Sequence, residues 1–260
     1  MRKPTEVIAR TQVATLYRDL GGRGMNAGST GNVSLLRASA MIITASGSDA
    51  EDVTPDDLAV ISLTGRVQGP ATPSSEWHLH AAIYKVFPAA RCVIHTHSDA
   101  ATALACLNES LPPFHYMIAG FGGNDVRCAP YVTFGTPELA ALAVVAMRGR
   151  NACLLANHGM VVFGRDTKHA LTQAVLLETL CRQYLMARAA GTVRLLTPEE
   201  MRAARVRFKT YGPLKKTTLK PSGGKAKRIP PLRATAIKPQ PKTPPPAHKK
   251  NQAPRPPRDG

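Results

Sequence analysis

Short apolar, β-rich runs alternate with helix-patterned segments along most of this chain, and that alternation restricts the fold more than any other feature. "AMIITAS", "AVISLTG", "RCVIHTH", "ACLLANHG" and "MVVFG" read as strands. Between them lie segments of helical period: the first twenty or so residues, "TPSSEWHLHAAIYKVFP", "DAATALACLNES", "PELAALAVVAMRG" and "TKHALTQAVLLETLCRQYLMARAAG", with "TPEEMRAARVRFKTYG" as a last helix. Several ends are marked. Ser74 or Ser75 is expected to cap one helix and Pro88 to end it, while Pro137 sits in a first turn and Gly191 closes the longest helix. Thr54 and Pro55 suggest a further helix start. Alternating helices and strands predict an α/β layered domain. A hairpin-like turn at Gly65 means that the sheet need not be parallel.

Charge divides the chain unevenly. Residues 1–212 carry 21 Lys+Arg against 16 Asp+Glu; residues 213–260 carry 13 against one, Asp259, so most of the formal +17 belongs to the tail. That tail also holds 12 of the 22 prolines and no aromatic residue. It cannot bury enough apolar surface to offset chain entropy, and disorder is expected. A basic extension of this kind can contact an acidic partner weakly, but it lacks the aromatic residues that stack on bases. The start of the chain has neither the apolar core nor the cleavage site of a signal peptide, and no apolar run is long enough to span a bilayer. The five cysteines are scattered, with no C-x-x-C. Together these features predict a cytoplasmic protein without a disulfide framework.

Two His-x-His pairs stand close together in "EWHLHAAIYKVFPAARCVIHTH". Residues i and i+2 share a face on a strand but diverge by about 200° on a helix. His95 and His97 can therefore offer both rings to one ion, whereas His78 and His80 cannot. His78 is expected at the surface, and His80 in a hydrogen-bonded position near the core. His158 in "LLANHGMVV" follows another apolar strand and is the candidate third ligand. Three imidazoles suit Zn²⁺ or a similar divalent ion with positions left open for substrate. Glu76 is the nearest acidic group in sequence and the candidate for proton transfer beside the metal. The loop "GGRGMNAGSTGN" matches neither a Walker loop nor a dinucleotide turn.

At these residues the chain resembles the class II aldolase/adducin family. The matching pieces are "GNVS", "TASG", "PSSEWHLH", "VIHTH", "HYMIAGFGG", "CAPYVTFGT", "NHG" and "FKTYG", in family order over residues 5–212. The resemblance implies one three-layer α/β/α domain over residues 1–212 around a central mixed, largely antiparallel sheet, followed by the disordered basic tail. It implies a zinc site of His95, His97 and His158 with Glu76 beside it. It also implies a phosphate pocket from Gly31, Asn32, Ser46, Gly47, Ser74 and Ser75, where glycine backbone, hydroxyls and a helix start serve an anion. Tyr116 is implied as a proton donor reaching the site of a neighbouring subunit in a homotetramer, with Phe134 and Tyr211 shaping the substrate.

The implied reaction is reversible cleavage of a ketose 1-phosphate, such as L-fuculose 1-phosphate, to dihydroxyacetone phosphate and an aldehyde. The ion would stabilise the enediolate, so no lysine Schiff base is needed. Pentulose-phosphate epimerase and methylthioribulose-phosphate dehydratase chemistry occur in the same family, as does the non-enzymatic adducin head. A scaffold has no use for three ligand histidines, a carboxylate and an anion loop together, and this favours an enzyme.

Overall fold

The computed structural model describes residues 4–210; Tyr211 and the tail lie outside them. Eight strands form one sheet: β1 (Asn32–Arg37), β2 (Ala40–Ile43), β3 (Ala59–Ser62), β4 (Val67–Gln68), β5 (Cys92–Thr96), β6 (Cys128–Ala129), β7 (Ala152–Leu155) and β8 (Gly159–Gly164). Their order across the sheet is β4-β3-β2-β1-β5-β8-β7-β6. Only the β6–β7 pair is parallel, so the sheet is mixed and largely antiparallel, as expected.

The layers follow from strand alternation. Val33, Leu35, Ile42, Cys92, Ile94, Leu154, Met160 and Val162 face one core, shared with α1 (Pro4–Gly22), α3 (Asp99–Cys106), α5 (Thr167–Ala190) and Met201 of α6 (Pro198–Thr210). Their neighbours Met41, Ile43, Val93, Cys153, Leu155, Val161 and Phe163 face a second core under α2 (Trp77–Val86) and α4 (Pro137–Ala146). Helices therefore cover both faces, giving the three-layer α/β/α arrangement. Cys92 and Cys153 are fully buried within the strands and behave as small apolar residues.

Helix ends agree with the sequence in part. Thr136 caps α4 ahead of Pro137, and Asp166 caps α5, which Gly191 closes. Two expectations are corrected. Residues 54–57 form a turn rather than a helix start, because the Asp57 carboxylate accepts from both the amide and the hydroxyl of Thr54 and closes the chain on itself. Neither Ser74 nor Ser75 is the N-cap of α2; Glu76 occupies that position without a side-chain cap bond, and the Ser74 hydroxyl accepts from the Glu76 amide. The carboxylate that sequence placed in a helix thus stands just before one, free to reach sideways.

Candidate active site

β1 and β5 pair antiparallel, with Asn32 opposite His95. Both side chains leave the sheet on the α2 side, away from Val33 and Ile94. His97 lies just past the end of β5 and keeps the same parity as His95. His158 sits in the short loop between β7 and β8, where Asn157 takes a positive φ of 53° that asparagine tolerates. Gly159 allows this loop to close: a Cβ there would lie 2.4 Å from the Thr96 carbonyl oxygen and 3.2 Å from the His97 ring.

These elements bring Glu76, His95, His97 and His158 together, with one donor atom from each lying within 4.8 Å of all the others. His95 Nε2 is 2.9 Å from His97 Nε2 and 3.0 Å from Glu76 Oε2. His158 Nε2 faces Glu76 Oε1 at 3.4 Å. No hydrogen bond joins them, and Glu76 Oε1 is buried without a hydrogen-bond partner among the described residues. His95 Nδ1 donates to the Met160 carbonyl at 2.9 Å, so the neutral ring carries its lone pair on Nε2. The cluster is then a set of lone pairs aimed at one another, which repel unless a cation lies among them. Donors on a tetrahedral zinc, each about 2.0–2.1 Å from the ion, stand roughly 3.3 Å apart. The spacing and chemistry of this donor set fit a divalent ion.

The electrostatics point the same way. Burial alone raises the Glu76 carboxyl, but the His95 and His158 rings and the Asn32 amide outweigh it and hold it well below the usual carboxylate range. Burial lowers His97 and His158, and the nearby His95 lowers them further; both are pushed down to about 4. They are neutral, and ready to act as ligands, at pH 7. His95 differs: burial would lower it, yet the Glu76 carboxylate and the Met160 carbonyl outweigh that and raise it.

Around this cluster the expected anion-pocket segments converge. The Ser46 amide donates to the Thr72 carbonyl and the Ser74 amide to the Thr44 carbonyl, which lays Ser46 and Gly47 beside Ser74 and Ser75. Gly31 has φ of +70°, and a Cβ there would lie 2.4 Å from Asn26 Oδ1 and 2.7 Å from the His95 carbonyl oxygen. Gly135 packs against Ser75, bringing the exposed Phe134 to the same rim. Tyr116 is also exposed, and its ring contacts run to His115 and Phe208. Asn32 stands at the junction: its backbone continues from Gly31, while its side chain reaches Glu76.

Some residues at the site carried no clear signal in the sequence. The buried Tyr17 hydroxyl lies 3.1 Å from the carbonyls of Thr30 and Ser48 and 3.4 Å from that of Gly31, stapling two pocket loops to α1. Asn26 is buried beside Gly31 with both amide atoms unpartnered among the described residues. Ser34, His80 and Tyr84 form a buried polar cluster behind Asn32. The four-residue spacing of Glu76, His80 and Tyr84 was the available sign of that cluster. His80 is fully buried and hydrogen-bonded, whereas His78 is half-buried against Trp77, as their helical positions predicted.

A family profile described as "Class II Aldolase and Adducin N-terminal domain" matches residues 11–185. The chain belongs to the class II aldolase/adducin family. Among class II aldolases it is similar to the 5-methylthioribulose-1-phosphate/5-deoxyribulose-1-phosphate aldolase of Rhodospirillum rubrum. The two are 44% identical over 206 residues, which is 79% of this chain and 90% of that protein. The L-fuculose phosphate aldolase of Escherichia coli strain K12 is 40% identical over 190 residues, covering 73% of this chain and 88% of its own. A solved L-fuculose 1-phosphate aldolase superposes with a TM-score of 0.75 at 36% identity, over 80% of this chain and 98% of that one. Class II aldolases perform lyase-type chemistry with a divalent metal, and the Glu76–histidine cluster is a possible site for one in this member of the family.

Proposed function

We propose that the protein catalyses reversible aldol cleavage of a ketose 1-phosphate to dihydroxyacetone phosphate and an aldehyde, with zinc as its metal. The observation that carries this reading is the convergence of Glu76 with three imidazoles next to three anion-suited loops. Such an arrangement suits a substrate with a phosphate at one end and adjacent oxygens at the reacting carbons. A zinc ion held by His95, His97 and His158 would supply Lewis-acid stabilisation of the negative charge that develops on those oxygens.

The chain's own groups then have distinct tasks. Backbone and hydroxyls of Gly31, Asn32, Ser46, Gly47, Ser74 and Ser75 hold the phosphate. Glu76 takes the C1 proton of dihydroxyacetone phosphate in the condensation direction and returns it to C1 in cleavage. Tyr116 of a neighbouring copy in a homotetramer protonates the aldehyde oxygen; its 53% exposure, with Phe134 at 63%, supports a role across a subunit boundary. Phe134 and Tyr211 shape the pocket for the aldehyde part. All five cysteines are unpaired, which suits a reducing compartment, and we place the reaction in the cytoplasm. No helix among the described residues is long and apolar enough to cross a membrane.

The relatives' names divide between 5-substituted ribulose 1-phosphates and L-fuculose 1-phosphate. The test is to incubate the zinc-loaded protein with 5-deoxyribulose 1-phosphate, methylthioribulose 1-phosphate and L-fuculose 1-phosphate, and to follow dihydroxyacetone phosphate with a coupled reductase. Release of dihydroxyacetone phosphate with matching aldehyde is expected from at least one. Epimer or dehydrated product without aldehyde would reject aldol cleavage.

A further inference from the structure

Glu76 Oε2, the oxygen that faces His95, is also held by a buried polar chain whose side chains the proposed chemistry does not use. Asn32 Nδ2 donates to Glu76 Oε2 at 2.9 Å. On its other side, Asn32 Oδ1 lies 2.6 Å from His80 Nε2. His80 Nδ1 lies 2.7 Å from the Ser34 hydroxyl, which is 2.7 Å from the Tyr84 hydroxyl. Asn32, Ser34, His80 and Tyr84 are all buried, at 6% exposure or less. Three of the polar residues, Glu76, His80 and Tyr84, follow one another at four-residue intervals along α2 and its N-cap. Asn32 and Ser34 alternate on β1 beneath them.

The polarity of this chain is fixed from the Glu76 end. A carboxylate only accepts, so Asn32 must present its NH₂ group to Glu76 and its carbonyl to His80. His80 Nε2 must then carry the proton. Nδ1 is left as an acceptor, and the Ser34 hydroxyl supplies its donor. Burial pushes His80 far towards the neutral form, which is consistent with this single tautomer. Read in reverse, a donor at His80 Nε2 is what keeps the Asn32 amide from turning over. A turned amide would point its carbonyl oxygen at the Glu76 carboxylate, and the two would repel.

We infer that His80 is a positioning residue: through Asn32 it fixes the Glu76 carboxylate at the angle from which it exchanges protons with substrate. This rests on the aldolase reading above for its catalytic consequence, but not for its geometry. Outer partners of this kind typically affect activity 10- to 100-fold when removed. Packing alone would be served by any side chain of similar volume; positioning by polarity requires the donor.

The experiment uses full-length, zinc-loaded protein. Long-range ¹H–¹⁵N NMR of the histidine rings should find wild-type His80 in one neutral tautomer with its proton on Nε2, and Asn32→Leu should release it into exchange between both tautomers. His80→Leu should lower kcat about 10- to 100-fold while KM stays within about twofold. His80→Gln, whose side-chain amide can still donate towards Asn32, should recover kcat to within about fivefold of wild type. A proton on Nδ1 in the wild type would overturn the inference. So would a His80→Leu enzyme with kcat within twofold of wild type, or equal losses in folded His80→Leu and His80→Gln. If the wild type cleaves no ketose 1-phosphate, the aldolase reading fails. The tautomer in wild type and in Asn32→Leu then decides the His80–Asn32 coupling alone, since it needs no substrate. If His80→Leu does not fold, the tautomer and the His80→Gln kinetics decide.

Discussion

Asn32 and His95 are register partners, opposite each other on β1 and β5 with both side chains on the α2 face. Each contacts the same oxygen of Glu76, Asn32 Nδ2 at 2.9 Å and His95 Nε2 at 3.0 Å. The carboxylate is therefore held between an amide donor on one strand and an imidazole of the candidate metal site on the next. Its position is a property of the sheet as much as of its own helix.

Replacing Glu76 by Gln keeps the shape and removes the base. We expect exchange of the C1 proton of dihydroxyacetone phosphate, followed by NMR in deuterated water, to fall by about 10²- to 10⁴-fold. Zinc measured by atomic emission should remain at the wild-type stoichiometry, because three imidazoles are still in place. Wild-type exchange in this variant would remove Glu76 from its catalytic role.

Loss of a histidine should act on the metal instead. His95→Ala deletes the central ring of the cluster, and the protein should retain little or no zinc after dialysis. Treating wild type with a chelator should abolish activity, and adding Zn²⁺ should restore it. Full activity in a protein shown to be free of divalent ions would count against the metal site.

Gly159→Ala tests the close approach of the β7–β8 hairpin to the His97 strand. The added methyl meets the Thr96 carbonyl at 2.4 Å, where backbone has to shift. A loss of about 1–3 kcal/mol in urea unfolding is expected, together with weaker zinc retention, since His97 and His158 flank the clash. A fully stable variant with normal zinc affinity would show that the hairpin relaxes freely.

Tyr17→Phe removes only a hydroxyl, far from the reacting atoms in sequence. It should cost about 1 kcal/mol of stability. Because that hydroxyl joins Thr30 and Gly31 to Ser48, KM for the phosphorylated substrate should rise while kcat is largely kept. An unchanged KM would mean that the loops hold their places without it.

Acid should destabilise the metal-free protein. His80 is pushed down to about 3 in the fold, against an ordinary value near 6.5. Between those values the unfolded chain binds a proton that the native state refuses, so stability falls as pH drops below 6.5. His97 and His158, at about 4, act in the same direction, and the depressed Glu76 joins them below its ordinary value of 4.5; the raised His95 changes stability only above 6.5. His80→Gln removes one such group. Its stability deficit relative to wild type should therefore shrink by about 1.4 kcal/mol per pH unit below 6.5. Urea midpoints at pH 7.5 and pH 5 measure this; parallel curves would contradict it.

Much of the candidate site was legible because its logic is local. "HTH" on a strand puts two rings on one face by the two-residue repeat alone, and "NHG" at a strand end offers a third. The layered α/β class followed from period as well. What the letters could not convey was direction. Glu76 reads as a helical residue, yet it is the residue before the helix, because the Ser74 hydroxyl is taken up by the Glu76 amide. Asn32 reads as part of an anion loop, yet its amide turns to Glu76, because β1 places it opposite His95.

The sequence by itself determined which residues can ligate, which segments are strands and helices, and which family they match. The tertiary structure decided who faces whom. Strand register set Asn32 against His95, the packing of α2 on β1 buried His80 and Tyr84 over Asn32 and Ser34, and the Tyr17 hydroxyl gathered loops from distant parts of the chain. The physical reason is that periodicity is written within a segment. Register and the polarity of a buried hydrogen-bond chain exist only once segments pack, because they depend on which partners are left for each donor and acceptor.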